Sequence, residues 1–235
     1  MITSAANPRL KRIRRLQSAR QRRKLELFAV EGDDLVEAGL AAGREPVDVL
    51  VAGEDVEPDL LAAVSTLPHP SRTIAVFRTQ DLPRLDASTG LHLGLALWRV
   101  ADPGNVGTLL RAADAFGPAF VALSDGCADP TGDKALRASA GAVFRVPLCR
   151  FDEAPGSMVA LVARGGTPLH ELELPERTTF VLGAEREGLP DDVLARCEVR
   201  ATIPQTGDAE SLNVAMAGAI ALYERSRRRA SALAR

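Results

Sequence analysis

Apolar runs alternate with polar turns along the chain, and the scale of the alternation changes near residue 90. In the first part, short apolar runs predict strands at Leu27–Val30, Val47–Val51 and Thr73–Phe77. Helices are predicted between these strands at Asp33–Ala42 and Glu57–Ser65. A basic helix is predicted ahead of them. This pattern is typical of a small α/β sandwich.

The second part repeats the alternation with longer elements. Strands are predicted at Leu93–Trp98, Phe120–Leu123, Ala142–Val146, Met158–Val162, Thr179–Leu182 and Val199–Ile203. Helices are predicted at Asn105–Phe116, Lys134–Ser139, Asp191–Arg196 and Ser211–Arg229. Near-continuous apolar strands separated by helices indicate a mostly parallel sheet with helices on both faces. Ligands bind such sheets beyond the carboxyl ends of the strands, so the loops after Trp98, Leu182 and Ile203 are predicted to form a site.

Each of these three loops carries polar residues at its tip. Asn105 stands at a predicted helix N-cap, with Arg111 beside the apolar stripe of the same helix. Glu185 follows the predicted strand Thr179–Leu182. Ser211 and Asn213 lie at the start of the last helix, with Ser211 at its predicted N-cap. A single residue of this kind is usually a solvated side chain or a local cap. Three such units at one edge of a sheet predict a composite site.

In this order, the segments NVGTLLRAADAFG, FVLGAEREGLP and IPQTGDAESLNVAMAGAIALYE resemble the three motifs of the SpoU (TrmH-type) RNA ribose 2′-O-methyltransferases of the SPOUT class. The stretch NPRLKRIRRLQSARQRRKLELFAVEGDDLVEAGL resembles the substrate-binding extension of many members. The resemblance implies an α/β fold with a deep C-terminal trefoil knot and an S-adenosylmethionine cofactor. It also implies a homodimer in which each active site is completed across the interface. The domains expected are residues 1–85 (L30e-like, RNA-binding), a linker at 86–92, and a methyltransferase domain at 93–235.

The resemblance also implies roles for single residues. The implied catalytic residues are Arg111, Asn105, Glu185, Ser211 and Asn213. The implied cofactor-binding residues, acting largely through their backbone, are Ala163, Gly183, Ile203 and Leu212. Members have been described as using the motif-one arginine as a general base. A guanidinium keeps its proton above roughly pH 12, however, so a cationic Arg111 that binds phosphate and stabilises a developing alkoxide is the favoured role.

Charge is unevenly distributed in this chain of net charge −2. Residues 1–30 carry nine basic side chains and one acidic one, a local excess of +8. Such a run is usually a solvated helix face. Its density, together with an apolar seam at Ile13 and Leu16, favours a cationic strip that binds RNA phosphates. The residues assigned to RNA binding are Arg9, Lys11, Arg12, Arg22, Arg23 and Lys24.

Other classes of protein are disfavoured by what the sequence lacks. It has no apolar run long enough to span a bilayer and no secretory h-region, and its three widely spaced cysteines fit a reducing cytosol. The cysteines and histidines have no metal-ligand spacing, so no metal is expected. Neither a G-x-G-x-x-G nor a P-loop signature follows a strand. A cytoplasmic location is predicted.

The function predicted from all this is S-adenosylmethionine-dependent methylation of a ribose 2′-OH in RNA. Ribosomal RNA is the favoured substrate and transfer RNA the second. One alternative is a non-catalytic RNA-binding or ribosome-assembly protein that keeps the fold, but such a protein would be expected to lose Arg111, Glu185 or Asn213. Another is an α/β enzyme that acts on a free nucleotide, which would leave the basic N-terminus unexplained.

Overall fold

A computed structural model describes residues 1–86, 90–207 and 210–233. The elements up to residue 78 are α1 (Pro8–Leu16), α2 (Ala19–Leu25), β1 (Leu27–Glu31), α3 (Asp33–Ala41), β2 (Asp48–Val51), α4 (Pro58–Ala62) and β3 (Thr73–Arg78). The strands form an antiparallel sheet in the order β1-β3-β2. The apolar face of α1, formed by Leu10, Ile13 and Leu16, is buried in the core of this sheet.

The basic N-terminal segment forms two helices where one was expected. The chain leaves α1 after Leu16 and restarts at Ala19. The Arg22 guanidinium donates hydrogen bonds to the carbonyl oxygens of Leu16 (2.9 Å) and Gln17 (3.1 Å) at the end of α1. These carbonyls have no intrahelical donor, so the Arg22 side chain stabilises the break between the two helices.

The remaining elements build the larger sheet. They are β4 (Leu93–Leu97), α5 (Pro103–Phe116), β5 (Phe120–Leu123), α6 (Asp133–Ser139), β6 (Leu148–Arg150), β7 (Ser157–Leu161), β8 (Thr167–Pro168), β9 (Thr178–Leu182), α7 (Asp191–Leu194), β10 (Val199–Thr202) and α8 (Val214–Leu233). The sheet has seven strands in the order β6-β5-β4-β9-β7-β10-β8, and every pairing is parallel. This confirms the predicted fold class, while the knot stays a prediction.

The strand predicted at Ala142–Val146 is wrong. Residues Ala142–Phe144 form a buried 3₁₀ helix, and the edge strand β6 begins only at Leu148. A short apolar run does not distinguish a buried strand from a buried helical turn. Here the turn places Phe144 against Phe77 of β3, with ring centroids 5.0 Å apart.

The two sheets share a continuous apolar core. Phe28 and Phe77 of the small sheet belong to the same buried cluster as Phe144, Leu95 and Leu109 of the large one. Gly39 of α3 allows a close approach, because a β-carbon there would lie 2.9 Å from the Phe77 ring and 3.1 Å from the Phe144 ring. The N-terminal part is therefore packed directly against the parallel sheet.

The segment between the two sheets lies along an edge of the larger one. Leu148 of β6 donates its N–H to the Pro83 carbonyl (3.0 Å), and its own carbonyl accepts from the Leu85 N–H (3.0 Å). The linker predicted at residues 86–92 falls between Arg78, the end of β3, and Leu93, the start of β4. Its residues 87–89 lie outside the described residues. None of the helices described is both long and apolar enough to cross a bilayer.

Candidate active site

Three loops meet at the carboxyl edge of the parallel sheet. They follow β4, β9 and β10, and the first and third lead into α5 and α8. Strands β4 and β9 are direct neighbours, while β7 separates β9 from β10. This is the edge at which the sequence predicted a composite site.

The N-cap of α5 is Asp102, not Asn105 as predicted. Asp102 Oδ1 accepts a hydrogen bond from the Asn105 N–H (3.0 Å), and Pro103 occupies the first helical turn. Proline is favoured at this position because its missing N–H would have no partner there. The Asn105 side chain is thus free of a capping role and available for contacts between loops.

A chain of side-chain hydrogen bonds joins the three loops through Asn105. Asn105 Nδ2 donates to Glu185 Oε1 (2.9 Å), and Asn213 Nδ2 donates to Asn105 Oδ1 (3.1 Å). The Asp102 N–H lies 3.4 Å from the same Glu185 oxygen. One residue from each predicted motif is therefore held in a single network.

Glu185 is ionised more readily than an ordinary glutamate. Burial raises its pKa. Hydrogen bonds from the Asn105 amide and from backbone N–H groups, including that of Asp102, together lower the pKa by more than burial raises it, so the net shift is down. The carboxylate is satisfied by amide and peptide donors. None of the arginines in the described part of the chain forms an ion pair with it.

The N-cap of α8 is Asn213, so the cap predicted at Ser211 is also wrong. Asn213 Oδ1 accepts hydrogen bonds from the N–H groups of Ala215 (2.9 Å) and Met216 (3.3 Å). The Asn213 side chain therefore has two roles: its oxygen caps the start of α8, and its nitrogen donates a hydrogen bond to Asn105. Ser211 is exposed at the mouth of the cavity described below.

Arg111 is exposed on α5 and stands apart from this network. It lies six residues beyond Asn105, which is about 9 Å along the helix axis and about 120° around it. Among the described residues it has no hydrogen bond or ion pair. The structure therefore brings Asn105, Glu185 and Asn213 together within one chain, and leaves Arg111 on a different face of the same helix.

A cavity of about 400 Å³ opens beside the network, between the loops after β7, β9 and β10. All four predicted cofactor residues, Ala163, Gly183, Ile203 and Leu212, line it. Glu185, Ser211 and Asn213 line it as well. Its volume is in the range typical of small-molecule sites.

Two features of this cavity fit a polar ligand held largely by backbone. A β-carbon on Gly183 would lie 2.2 Å from the backbone carbon of Gly188, so only glycine allows the loop after β9 to fold back on itself. Gln205 also lines the cavity, and its Oε1 atom is buried without a hydrogen-bond partner among the described residues. An unpaired buried amide oxygen is costly unless a ligand or water donates to it.

Sequence reasoning missed Gln205 and Lys134. Gln205 lies within the third motif segment, so its position was visible in the sequence although its burial was not. Lys134 Nζ lies 2.8 Å from Asp102 Oδ2 and, with N–H donors at the start of α5, lowers the pKa of that carboxyl. No spacing rule connects two residues on different helices, so this pair had no sequence signal.

The basic residues of the N-terminal helices differ in availability. Arg9 and Arg12 both form ion pairs with Asp48, and Arg9 also donates to the Val49 carbonyl (2.9 Å). Arg22 is 7% exposed and its Nη2 lies 2.7 Å from Asp129 Oδ2. Arg22 therefore links α2 to the loop after β5. Because its guanidinium is buried and ion-paired, the structure does not support its predicted role in RNA binding.

The exposed basic side chains of α1 and α2 form what we call the cationic strip: Lys11, Arg14, Arg15, Arg20, Arg23 and Lys24. Within the described residues none of them has an ion-pair partner. Three of the six predicted RNA contacts, Lys11, Arg23 and Lys24, belong to this strip.

Within the described ranges, no three His, Cys, Asp or Glu side chains lie close enough together to hold a metal ion.

Comparison with known proteins finds matches over both parts of the chain. The model of the SpoU rRNA Methylase family matches residues 92–223, and that of the MRM3-like substrate binding domain matches residues 7–78. The 23S rRNA (guanosine(2553)-2′-O)-methyltransferase RlmP of Bacillus subtilis is 32% identical, over 94% of this chain and 97% of that protein. The 23S rRNA (uridine(2479)-2′-O)-methyltransferase of Streptomyces viridochromogenes is 30% identical, over 74% of this chain and 67% of that protein.

Solved structures match over almost the whole length. The AdoMet-bound rRNA methyltransferase from Sinorhizobium meliloti superposes with a TM-score of 0.84 at 28% identity, covering 97% of each chain. Its N-terminal and C-terminal parts are thus arranged as they are here.

Proposed function

The chain belongs to the SpoU rRNA methylase family, and we propose that it methylates a ribose 2′-OH of ribosomal RNA. It is an S-adenosylmethionine-dependent RNA methyltransferase. The observation that carries the proposal is the network in which Asn105 joins Glu185 to Asn213 beside a cavity of about 400 Å³. Ribosomal RNA is favoured because both of the relatives described above are named as 23S rRNA 2′-O-methyltransferases.

The cavity supports the assignment of the cofactor-binding residues. S-adenosylmethionine, when bound, supplies an electrophilic methyl group. Gly183, Ile203 and Leu212 would hold it mainly through their backbone, and the unpaired Gln205 Oε1 offers an acceptor to a ligand N–H or O–H group. The Ala163 carbonyl accepts from Thr202 Oγ1 (3.1 Å) and has a second lone pair, so it could still accept a hydrogen bond from the cofactor.

Positioning is the main task of the protein in this reaction, since a good methyl donor needs little covalent help. The Glu185–Asn105–Asn213 network orients the first and third loops around the ribose. A cationic Arg111 binds the neighbouring phosphate and stabilises the negative charge that develops on the 2′-oxygen as its proton passes to solvent water. A neutral Arg111 acting as base would require the loss of a proton that a guanidinium retains at working pH.

Arg111 acts, in this proposal, on the site of a partner copy. Its position on a different face of α5 from Asn105 supports this. Met216, Ile220 and Tyr223 form an exposed apolar stripe on α8, 38% to 56% exposed. The stripe lies beside α5, because Tyr223 contacts Phe116 with ring centroids 5.6 Å apart. Exposed apolar stripes of this kind mark interaction surfaces, and a two-fold pair of such faces would place each Arg111 near the other site.

The cationic strip supports recruitment of a structured RNA. It lies on α1 and α2, within the residues 1–85 that we propose as the substrate-binding domain. Neutralised phosphates release counterions, which gives affinity without sequence specificity. The shared core with the parallel sheet would hold this strip in a fixed orientation to the active site. A cytoplasmic location stays a prediction.

The experiment that tests the function is methyl transfer from labelled cofactor to unmodified ribosomal RNA and, separately, to transfer RNA. We expect label in ribosomal RNA, at one ribose after mapping by alkaline hydrolysis. Label only in transfer RNA would move the substrate to the second candidate. Binding of RNA without transfer to either pool would favour a non-catalytic assembly protein.

The dimer is tested by sedimentation of the wild type and of Ile220→Asp. We expect a dimer for the wild type, and for the variant a monomer that retains cofactor binding and loses transfer. A fully active monomer would contradict a site shared between two copies.

A further inference from the structure

Arg99 has a backbone conformation that its side chain does not favour. It follows β4 and has a φ of 53°, in the left-handed region. Among the residues described, only Glu26 and Ala140 share this property without being glycine. The conformation is unfavourable for a residue with a β-carbon, and such residues cluster at functional sites.

The neighbours of Arg99 fix this turn. The Trp98 N–H donates to the Leu182 carbonyl of β9 (2.8 Å), and the Val100 carbonyl accepts from the Ala128 N–H (2.9 Å). The N–H of Arg99 itself donates to Ser124 Oγ (2.9 Å). With both neighbours held, the change in chain direction falls on residue 99. A glycine would satisfy that requirement without strain.

The side chain at this position is a free cation on the loop after β4, the first of the three loops that form the site. Arg99 is exposed, and within the described ranges it forms no hydrogen bond or ion pair through its guanidinium. Its aliphatic part lies across Gly126, where a β-carbon would be 3.4 Å from Arg99 Cγ and Nε. It precedes by three residues Asp102, whose N–H lies 3.4 Å from Glu185 Oε1. Three residues span at most about 11 Å, so the Arg99 backbone lies within that distance of Asp102.

We propose that Arg99 binds a phosphate of the RNA strand adjacent to the methylated ribose, as a substrate-positioning residue distinct from the cationic strip. The inference rests on the proposed RNA substrate. The strain at residue 99 is retained because the position needs a long cationic side chain as well as a left-handed turn. Planar guanidinium groups are well suited to phosphate, with two parallel N–H donors.

The test uses the full-length protein with Arg99→Gly, because glycine removes the cation and relieves the strain in one change. Ala140→Gly is the matched control: it relieves the same kind of strain at an exposed residue that ends α6, and it removes no charge. Arg99→Lys keeps the cation. Each is measured for thermal stability, cofactor Kd, and RNA affinity over a range of salt concentrations, with unmodified ribosomal RNA as the probe.

We expect Arg99→Gly to melt at or above the wild-type temperature and to bind cofactor normally. Its RNA affinity should fall about tenfold, equivalent to one charge-assisted hydrogen bond. The slope of log affinity against log salt should decrease by about 0.7–0.9, the contribution of one phosphate. Arg99→Lys should keep the wild-type slope. Ala140→Gly should match the wild type in both RNA affinity and slope.

Unchanged affinity and slope in Arg99→Gly, with the wild type active, would overturn the inference and leave the proposed function intact. A fall in melting temperature with an unchanged slope would make Arg99 a structural residue and also overturn it. A wild type that methylates neither ribosomal nor transfer RNA would instead remove the proposed function.

Discussion

The N-terminal helices and the three-loop site use charged side chains in opposite ways. In the helices, aspartates hold three of the arginines, while the cationic strip stays unpaired: Asp48 pairs with Arg9 and Arg12, and Asp129 pairs with Arg22. At the site, the acid Glu185 is held by the Asn105 amide, and Arg111 has no partner among the described residues. An arginine held by a carboxylate stabilises the fold, whereas one left unpaired is available to a substrate. The comparison therefore separates structural cations from functional ones more sharply than charge density does.

The largest effect is expected from removing the unpaired Arg111, which we propose acts on the site of a partner copy. Arg111→Ala should lower the rate of methyl transfer by at least about 10²–10³-fold, the loss usually seen when a transition-state charge loses its partner. Cofactor affinity should stay within severalfold, because Arg111 does not line the cavity. Single-turnover rates and cofactor titration measure the two effects. Arg111→Lys keeps the charge without the planar fork and should recover only part of the rate. An Ala variant with the wild-type rate would remove Arg111 from the reaction.

The next effect concerns stability and tests the paired side of the comparison. Asp129→Ala leaves the Arg22 guanidinium, whose side chain is 8% exposed, without its carboxylate. Breaking a buried pair by removing one partner typically costs about 3 kcal/mol or more in unfolding free energy. The control is Glu54→Ala, which breaks the ion pair with Arg72. The side chains of Arg72 and Glu54 are 60% and 63% exposed, so this change should lower the free energy of unfolding by less than about 1 kcal/mol. Urea unfolding at one protomer concentration compares them. Equal losses would mean that Arg22 is not a structural cation.

A smaller effect is expected at the unpaired cations of the helices. Replacing Lys11, Arg23 and Lys24 with Gln should decrease the slope of log RNA affinity against log salt by about 2–3, since each phosphate contributes about 0.7–0.9. The control removes the same charge from the ion-paired residues Arg72, Arg137 and Arg196. If the control lowers the slope equally, net charge explains binding and the cationic strip has no specific role.

The parts of this molecule that the sequence predicted are those set by local patterns. The alternation of apolar strands and helices predicted the parallel sheet, and the motif order predicted a composite site that included Arg111. Residues 105, 185 and 213 do converge within one chain, whereas Arg111 lies apart from them. Both N-caps were misplaced, because Asp102, Asn105, Ser211 and Asn213 are all good capping residues and the sequence does not say which one the helix uses. Pro103 was the available signal for Asp102.

Contacts between distant residues had no such signal. The pairing of Arg22 with Asp129 joins positions 107 residues apart, and no periodicity relates them. The density of basic residues therefore did not reveal that Arg22 is buried and paired. The buried 3₁₀ turn at Ala142–Phe144 was read as a strand for a related reason: its burial depends on the Phe77 ring of the other sheet.

The smallest effect is a shift in pH dependence that tests how the amide holds Glu185. Burial alone would raise the pKa of this carboxyl, and the hydrogen bond from Asn105 Nδ2 is the largest of the contributions that lower it. Because the pKa of Glu185 is lowered, its carboxylate stays ionised at pH values below the ordinary glutamate pKa. It is protonated only as the pH falls through the lowered pKa. In Asn105→Ala the burial remains and the amide is gone, so the acid limb of the methyl-transfer rate should move to higher pH. Asn213→Ala leaves the Asn105 donor in place and should move that limb less, even if it lowers the rate at neutral pH by weakening the start of α8. Single-turnover rates from about pH 4 to about pH 8 resolve the limb. If the acid limb stays in place in Asn105→Ala, backbone donors alone keep the pKa of Glu185 low. Glu185 would then differ from the ion-paired arginines of the helices because peptide N–H groups stabilise it, not because a side-chain amide does.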